Sequence, residues 1–338
     1  MNSAPRVTVR GPRSERRWRQ TLVQSMPLIL ALVILVGLTA LYVGLFYGQL
    51  GRFPGIFEWT SIVKTAMPTV LVAMGQGIVV LTRGIDLSVG GIVDVSNSLA
   101  ATRMHAGLAS MLGWSFVVLL FGASAGAING ALIAYARLQP ILVTLATLSI
   151  LQGIAIRILP EPGGAIPATY SNVLANPDGP WGLLAVAAAT VLWFVFRRTS
   201  LGVRIYAIGN DEYAARAHGI PVRRVKVLAY ALSGLLSAAG GLFLAATTTA
   251  GDATSGDVFV LTSIAAVVLG GISFLGGRGS ALGAVAGAFI LTVLVNVLFF
   301  AGIDPLYQSF FQGLFLFIAV FLGAVLGRLL SRSQRSYA

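Results

Sequence analysis

The sequence contains no cysteine, only two histidines and very little charge. Without cysteine the chain has no disulfide, no thiolate nucleophile and no cysteine metal site. His105 and His218 are far apart in the sequence and lack the spacing of metal ligands. Charged residues make up 10% of the chain, whereas soluble domains carry about 25%. Since so little charge cannot cover a water-exposed surface, the sequence predicts a membrane protein.

Motifs for catalysis and for nucleotide binding are also missing. There is no Ser–His–Asp set and no pair of catalytic carboxylates within one apolar segment. Lys64 and Lys226 are the only lysines, and neither follows a glycine-rich turn that ends in Ser or Thr, as a Walker A loop requires. We therefore expect no enzyme activity, no metal and no cofactor in this chain. If ATP and Mg²⁺ are used, another subunit must bind them.

What the chain has in abundance is apolar sequence, at 57% of residues. A helix needs about 20 apolar residues to cross a bilayer. The apolar segments predict an all-α polytopic fold with about ten transmembrane helices, some of them broken or re-entrant. The predicted spans are 27–50, 60–81, 85–102, 112–136, 139–159, 181–196, 227–249, 259–275, 281–301 and 306–327.

The distribution of charge predicts the topology. The net charge of +12 is explained by the excess of basic residues in cytoplasmic loops, and it does not require a nucleic-acid partner. With both termini inside, most basic residues lie on the cytoplasmic side and most acidic ones outside. The predicted parts are a basic cytoplasmic tail (1–20), a transmembrane domain (21–330) with a cytoplasmic loop (197–226), and a cytoplasmic C-terminal tail (331–338).

Glycine, with 40 residues, is concentrated within the apolar segments. Small residues at every fourth position let membrane helices approach closely, so two such series predict helix packing. They are Gly122, Gly126 and Gly130, and Gly279, Gly283 and Gly287. Two other glycine-rich stretches, TRGIDLSVGG (82–91) and LGGISFLGGRGS (269–280), interrupt apolar segments. Interrupted helices of this kind are typical of a transport path.

The longest polar interval is the segment Arg197–Lys226, and it predicts a short capped helix. Asn210 or Asp211 is a candidate N-cap, and Glu212 favours the positive end of the helix dipole. Gly219 suits the position after the helix end. Ala214 and Ala215 present a small surface. These features favour a docking element over a solvated basic loop that only fixes topology.

Polar residues within the predicted spans are candidates for a solute path. Asp86 stands at the edge of the third span, where an acid is functional by default unless it caps the helix or pairs with Arg83. The other candidates line a path for a hydroxyl-rich solute or simply hold helices together through hydrogen bonds. They are Ser88, Asp94, Asn97, Asn129, Thr144 and Asn296.

Four stretches resemble the membrane-spanning permease subunits of bacterial sugar ABC importers of the ribose, galactose and autoinducer type. They are GIDLSVGGIVDVSNSLAA (84–101), LQPILVTLATLSILQGIA (138–155), TSLGVRIYAIGNDEYAARAHGIPV (199–222) and IAAVVLGGISFLGGRGSALGAVAGA (264–288). The resemblance extends from about residue 60 to 325. One departure is Arg83, which stands where relatives often carry a glycine.

The resemblance implies several partners and a mechanism. It implies a cytoplasmic ATP-binding subunit, a periplasmic sugar-binding protein and a second permease subunit, identical or paralogous, all acting at the bacterial inner membrane. The coupling helix of the family corresponds to Asn210–Gly219. Transport would proceed by alternating access between two permease chains. The identity of the sugar does not follow from the motifs.

Two other interpretations stay open at the level of sequence. An ion-coupled secondary transporter working without an ATPase would need acids in the membrane, and Asp86 with Asp94 is the only reasonable pair. A scaffold subunit without a solute path would need neither. Dependence of transport on a co-reconstituted ATPase separates the first interpretation from both of these.

Overall fold

The structure is a computed structural model that describes residues 13–176, 178–179, 181–318 and 321. Within these ranges the chain is almost entirely helical, and the only β-type pairing is an isolated bridge between Gly163 and Gly251. The helices are α1 Arg13–Leu50, α2 Ile56–Leu81, α3 Val89–Arg103, α4 Leu108–Tyr135, α5 Pro140–Ile158, α6 Ala168–Ala175, α7 Trp181–Arg198, α8 Ser200–Asn210, α9 Glu212–Ala217, α10 Val222–Thr248, α11 Asp257–Leu269, α12 Ala281–Phe300 and α13 305–318.

Within the described ranges, seven helices are long and apolar enough to cross a membrane: residues 27–50 of α1, and α2, α4, α5, α7, α10 and α12. The predicted all-α polytopic fold is therefore confirmed. Two further predicted spans contain shorter helices, α3 with 15 residues and α11 with 13. The last predicted span corresponds to α13, and its remainder lies outside the described residues apart from residue 321.

Both short helices adjoin the glycine-rich stretches that the sequence marks as interruptions. Residues 82–88 form turns and extended chain before α3, and residues 270–280 form an irregular segment between α11 and α12. The third span was therefore predicted to begin too early, since helix starts only at Val89. The predicted span 259–275 likewise loses its helix at Leu269. In the first case the glycine-rich stretch delays the start of the helix, and in the second it ends the helix.

The bundle has two chemically different ends. The end that carries Arg83, Arg137, residues 197–226 and Arg278 is called the basic end. Its parts meet directly, because Arg83 donates hydrogen bonds to the carbonyls of Gly209 and Asn210. At the other, acidic end, the segment at Gly163 pairs with Gly251 next to Asp252.

Close helix packing follows the first predicted glycine series. A Cβ at Gly126 would lie 2.1 Å from the carbonyl oxygen of Tyr230, and one at Gly122 would lie 2.4 Å from that of Gly234. The backbones of α4 and α10 therefore touch where a side chain would hold them apart. In the second series Gly283 and Gly287 pack in this way against the carbonyls of Gly270 and Ala266.

One detail of the sequence prediction needs correction. Gly279 is not part of a helical series, because it lies in the irregular segment with φ +113°. The predicted N-terminal tail, 1–20, overlaps the start of α1, which begins at Arg13 and continues through Pro27. Residues 1–12 and the predicted C-terminal tail, 331–338, lie outside the described residues.

Candidate functional site

A buried chain of hydrogen bonds joins four helices at the first interrupted segment. Asp86 Oδ1 accepts from the backbone N–H of Ser88 at 3.0 Å and from its hydroxyl at 2.5 Å. Asp86 Oδ2 accepts from the hydroxyl of Ser233 in α10 at 2.8 Å. Asn129 in α4 donates to Ser88 Oγ at 2.9 Å and accepts from Thr147 in α5 at 2.6 Å. Apart from Thr147, these side chains are fully buried.

Asp86 does not pair with Arg83, and this part of the prediction is wrong. The Arg83 guanidinium instead donates to the carbonyls of Gly209 and Asn210, at 2.8 and 2.7 Å. The alternative, capping, is closer to what is found, although the helix begins at Val89 and not at Leu87. Asp86 accepts the N–H of Ser88, the residue before the helix, so it orders the turn that leads into α3.

Asp94 and Asn97 form a second buried polar group further along α3, toward the acidic end. Asp94 Oδ1 accepts the backbone N–H of Gly256, the N-cap residue of α11. Its carboxylate therefore lies at the positive end of that helix. Asp94 Oδ2 has no hydrogen-bond partner among the described residues. Asn97 Oδ1 accepts the N–H of Asp252 at 3.1 Å, in the loop that precedes α11.

The other two predicted path residues lie apart from these groups. Thr144 is buried and donates to the carbonyl of Pro140 in its own helix at 2.9 Å. Asn296 donates to the carbonyl of Thr292, also within its own helix, at 2.9 Å. The structure therefore brings Asp86, Ser88 and Asn129 together and separates the remaining candidates from them.

Sequence reasoning left two members of the first network out of the site. Ser233 lies in an apolar stretch of α10 and is linked to Asp86 across 147 residues, so no local pattern identifies it. Thr147 is the other member, and it joins the network from α5 by donating to Asn129. Gln76 of α2 is also notable, because it is fully buried and neither side-chain amide atom has a partner in the described part of the chain.

At the basic end, α9 has the two helix ends that the sequence predicts. The Asp211 carboxylate accepts the N–H of Ala214 at 3.0 Å and is the N-cap. Gly219 has φ +78°, a left-handed conformation that glycine adopts without strain. The N–H of Gly219 donates to Arg216 O and that of Ile220 to Ala215 O, which is the Schellman pattern. Asn210, the other cap candidate, is instead the last residue of α8.

Glu212 connects α9 to the start of α10 through an ion pair. Its carboxylate contacts Arg216 one turn later at 3.1 Å and Lys226 at 2.8 Å. Partial burial alone would raise the pKa of Glu212, but the hydrogen bond from Lys226 and the charges of Lys226 and Arg216 outweigh it. The net effect is a pKa below the ordinary value of 4.5. The sequence indicated only the favourable interaction with the helix dipole.

The sequence suggested that Ala215 belongs to a small exposed surface, and the structure contradicts this. Its side chain is 5% exposed and packs in the main hydrophobic core. Ala214 is half-buried. The side chain that α9 does present to the outside is Tyr213, which is 84% exposed.

The loop 197–226 contains a further helix that sequence reasoning missed. This helix, α8, is capped by the Thr199 hydroxyl, which accepts the N–H of Gly202 at 3.2 Å. Its last turn meets the second interrupted segment, because a Cβ at Gly209 would lie 2.3 Å from Gly277 N. Both glycine-rich interruptions therefore contact this loop.

These features define a class of protein: a polytopic helical membrane protein with two interrupted helices, buried polar groups and a capped helix at its basic end. A family model described as "Branched-chain amino acid transport system / permease component" matches residues 59–320. The chain belongs to this family of transport-system permeases.

The chain is similar to several curated import permeases. The chain is 36% identical over 299 residues to the ribose import permease protein of Bacillus subtilis, which covers 80% of this chain and 91% of the relative. It is 33% identical over 314 residues to the fructose import permease protein of Rhizobium meliloti, with 88% and 86% covered. The corresponding protein of the autoinducer 2 import system in an Enterobacter species is 33% identical over 274 residues, with 79% of each chain covered.

The comparisons confirm the resemblance to sugar ABC importer permeases that the four motifs indicate. No solved structure matches the chain.

Proposed function

We propose that this chain is the membrane-spanning subunit of an ATP-driven importer, and that it forms the path for a sugar or a related small polyol across the bacterial inner membrane. A separate cytoplasmic subunit binds ATP and Mg²⁺. A periplasmic sugar-binding protein delivers the solute, and a second permease subunit, identical or paralogous, completes the path. Both termini and the basic end face the cytoplasm.

The observation that carries this proposal is similarity along most of the chain to permeases whose names share one chemistry. Ribose and fructose are small and rich in hydroxyl groups, and the relatives named for them align with at least 80% of this chain. Family membership supports a transport role, and the apolar helices support a multi-pass position in the membrane.

The coupling of ATP hydrolysis is proposed to occur at α9. Asp211 and Gly219 fix the two ends of this short helix, and Glu212 holds it to α10. Isolated helices of six residues are marginal in water, so contacts with the rest of the chain must keep α9 ordered. With its ends fixed and Tyr213 exposed, α9 is suited to transmit a movement of a bound ATPase subunit to α10.

The experiment is uptake of a radiolabelled sugar into proteoliposomes that contain this chain, its ATPase subunit and its binding protein. The sugar is chosen as the ligand that the purified binding protein retains. A matched control replaces the catalytic glutamate of the ATPase by glutamine. Uptake is expected with ATP inside the vesicles, because only molecules whose cytoplasmic face and ATPase subunit face the lumen move sugar inward. It should disappear with the control.

An imposed proton or sodium gradient distinguishes the competing interpretation. Uptake that follows such a gradient without the ATPase subunit would contradict the proposal and favour an ion-coupled transporter. Binding of the ATPase without any uptake of the retained ligand would contradict the role as a solute path.

A further inference from the structure

A cavity of about 380 Å³ lies at the basic end beside α9, and the proposed function assigns it no ligand. It is bounded by the last turns of α2 and α4, by the start of α5, and by α9 and the first turns of α10. We call it the basic cavity. Five of the residues that line it are cationic: Arg83, Arg137, Arg216, Arg223 and Lys226.

The charge in this cavity is strongly unbalanced. Glu212 is the only carboxylate among its lining residues, and it is shared by Arg216 and Lys226. Cations held around one cavity repel each other, and a bound anion removes that repulsion. An excess of basic residues at the cytoplasmic face is expected from topology alone, but it does not require five of them to converge on one cavity.

Two of these arginines occupy backbone conformations that are unfavourable for them. Arg83 has φ +66° and Arg137 has φ +57°, whereas most residues other than glycine avoid this region. Each lies at the end of a helix whose last turn borders the cavity. Both residues line the basic cavity, and backbone conformations of this kind are typical of functional sites.

The cations keep donors free for a ligand. Arg83 uses two of its five N–H groups on backbone carbonyls. Arg223 stacks over the ring of Tyr135, 5.6 Å from its centre, which holds its guanidinium in place without using an N–H. Guanidinium groups bind phosphate in a bidentate manner, so this arrangement favours phosphate over a monovalent ion such as chloride.

The surroundings of the cavity are amphipathic. Leu138 and Pro140 line it, and the neighbouring side chains of Ile141 and Leu142 are exposed on the start of α5. A phospholipid can therefore place its phosphate group in the cavity and its acyl chain along the apolar surface beside it, as in other basic pockets that bind phospholipid headgroups. The volume also admits a free phosphorylated metabolite of a few carbon atoms.

We propose that the basic cavity is a binding site for a phosphate-bearing anion, held by Arg137 and Arg223 and supported by Arg83, Arg216 and Lys226. The ligand is the headgroup of an anionic phospholipid or a free phosphorylated metabolite. Because the ligand competes with Glu212 for Arg216 and Lys226, its presence changes the ion pairs that hold α9 to α10.

Binding is measured on the full-length chain purified in a neutral detergent. One probe is glycerol 3-phosphate with glycerol as its uncharged control, followed by calorimetry. The other is dioleoyl phosphatidylglycerol with dioleoyl phosphatidylcholine as its control, followed by native mass spectrometry. Binding by either charged probe is expected, and it should weaken as salt is raised.

The test variant is Arg137→Gln with Arg223→Gln. The matched control, Arg198→Gln with Arg204→Gln, removes the same charge from the same end without touching the cavity. We expect at least a tenfold loss of affinity in the test variant and less than a twofold change in the control. Arg137→Gly is a second test variant that should fold normally, because glycine adopts φ +57° without strain. It should lower the affinity for the charged probes without lowering the melting temperature.

The two sources give different results. Binding of phosphatidylglycerol without glycerol 3-phosphate identifies a lipid headgroup, and binding of glycerol 3-phosphate identifies a soluble ligand. Binding of neither, or an equal loss in both double variants, overturns the proposal. If neither probe binds and only the test variant loses the ATPase subunit, the cavity receives an acidic segment of that partner. Since no transport is measured, failure here leaves the proposed import function untouched.

Discussion

Asp86 accepts three hydrogen bonds in the protein interior and has no ion-pair partner among the described residues. Its donors come from two separate parts of the bundle, the start of α3 and the middle of α10. A buried carboxylate with this many donors organises the polypeptide around it. We therefore interpret Asp86 as a positioning residue and not as a binding site for a coupling ion.

Replacing Asp86 by Asn tests this interpretation. Asn keeps an acceptor for Ser88, and its amide can donate to the Ser233 hydroxyl, so uptake should fall by less than roughly threefold. Asp86→Leu leaves buried donors unpaired at about 1–3 kcal/mol each and should reduce the yield of folded protein. Uptake in proteoliposomes and gel filtration provide the measurements. A folded Asp86→Asn protein without uptake would show that the charge itself is needed.

Glu212 makes the stability of α9 depend on pH. Because its pKa is lower in the folded than in the unfolded protein, its contribution is complete above the ordinary value of 4.5. The contribution is lost as the pH falls through the lower folded-state pKa. Hydrogen exchange of the α9 amides should therefore accelerate below about pH 4.5 after correction for the intrinsic rate. A Glu212→Gln variant should lack this step, and an identical step in it would contradict the assignment.

At the scale of elements, α9 has one side fixed in the core and one side free. Ala215 is on the fixed side and Tyr213 on the free side. The buried side explains how so short a helix stays ordered, and the exposed side identifies the residue that a partner would meet.

Two substitutions separate these sides. Ala215→Trp overfills the core, which costs typically 1–3 kcal/mol, so the melting temperature in detergent should fall. Tyr213→Ala should leave the melting temperature unchanged and reduce co-purification of the ATPase subunit, because exposed aromatic side chains are frequent binding hot spots. Normal co-purification with Tyr213→Ala would exclude this side chain as a major docking contact. A stable Ala215→Trp protein would contradict the packing.

Contact between α4 and α10 permits a similar comparison. Gly126→Ala places a Cβ 2.1 Å from the Tyr230 carbonyl oxygen and should lower the melting temperature, because backbone must move. Gly153→Ala in α5 meets nothing within 4 Å and should be neutral or slightly stabilising. Thermal unfolding in detergent measures both. Equal effects would mean that α4 and α10 are not in backbone contact.

At the scale of the whole molecule, the basic and acidic ends of the bundle define its proposed orientation in the membrane. Gly163 lies at the acidic end and Ser200 at the basic end, on either side of α7. Reporter fusions after Gly163 and after Ser200 should therefore report opposite sides of the membrane, external and cytoplasmic. The same side for both positions would contradict the proposed orientation.

Features that depend on neighbouring residues could be predicted from the sequence. Apolar length identified the spans because the hydrocarbon thickness fixes how many helical residues are needed. Asp211 and Gly219 were recognised as the ends of α9 because a cap acts within a few residues of its position. The glycine series of α4 indicated close packing because only glycine lets two backbones touch.

Only the tertiary structure decided which distant groups meet. Arg83 bonds to the carbonyl of Gly209 across 126 residues instead of to nearby Asp86, and Asp94 meets Gly256 across 162. The burial of Ala215 was equally invisible in the sequence. In a membrane helix both lipid-facing and protein-facing sides are apolar, so periodicity does not identify the packed face. The arrangement of the helices then determines which buried polar groups pair. That arrangement depends on all the contacts between the helices at once, so no local stretch of sequence reveals it.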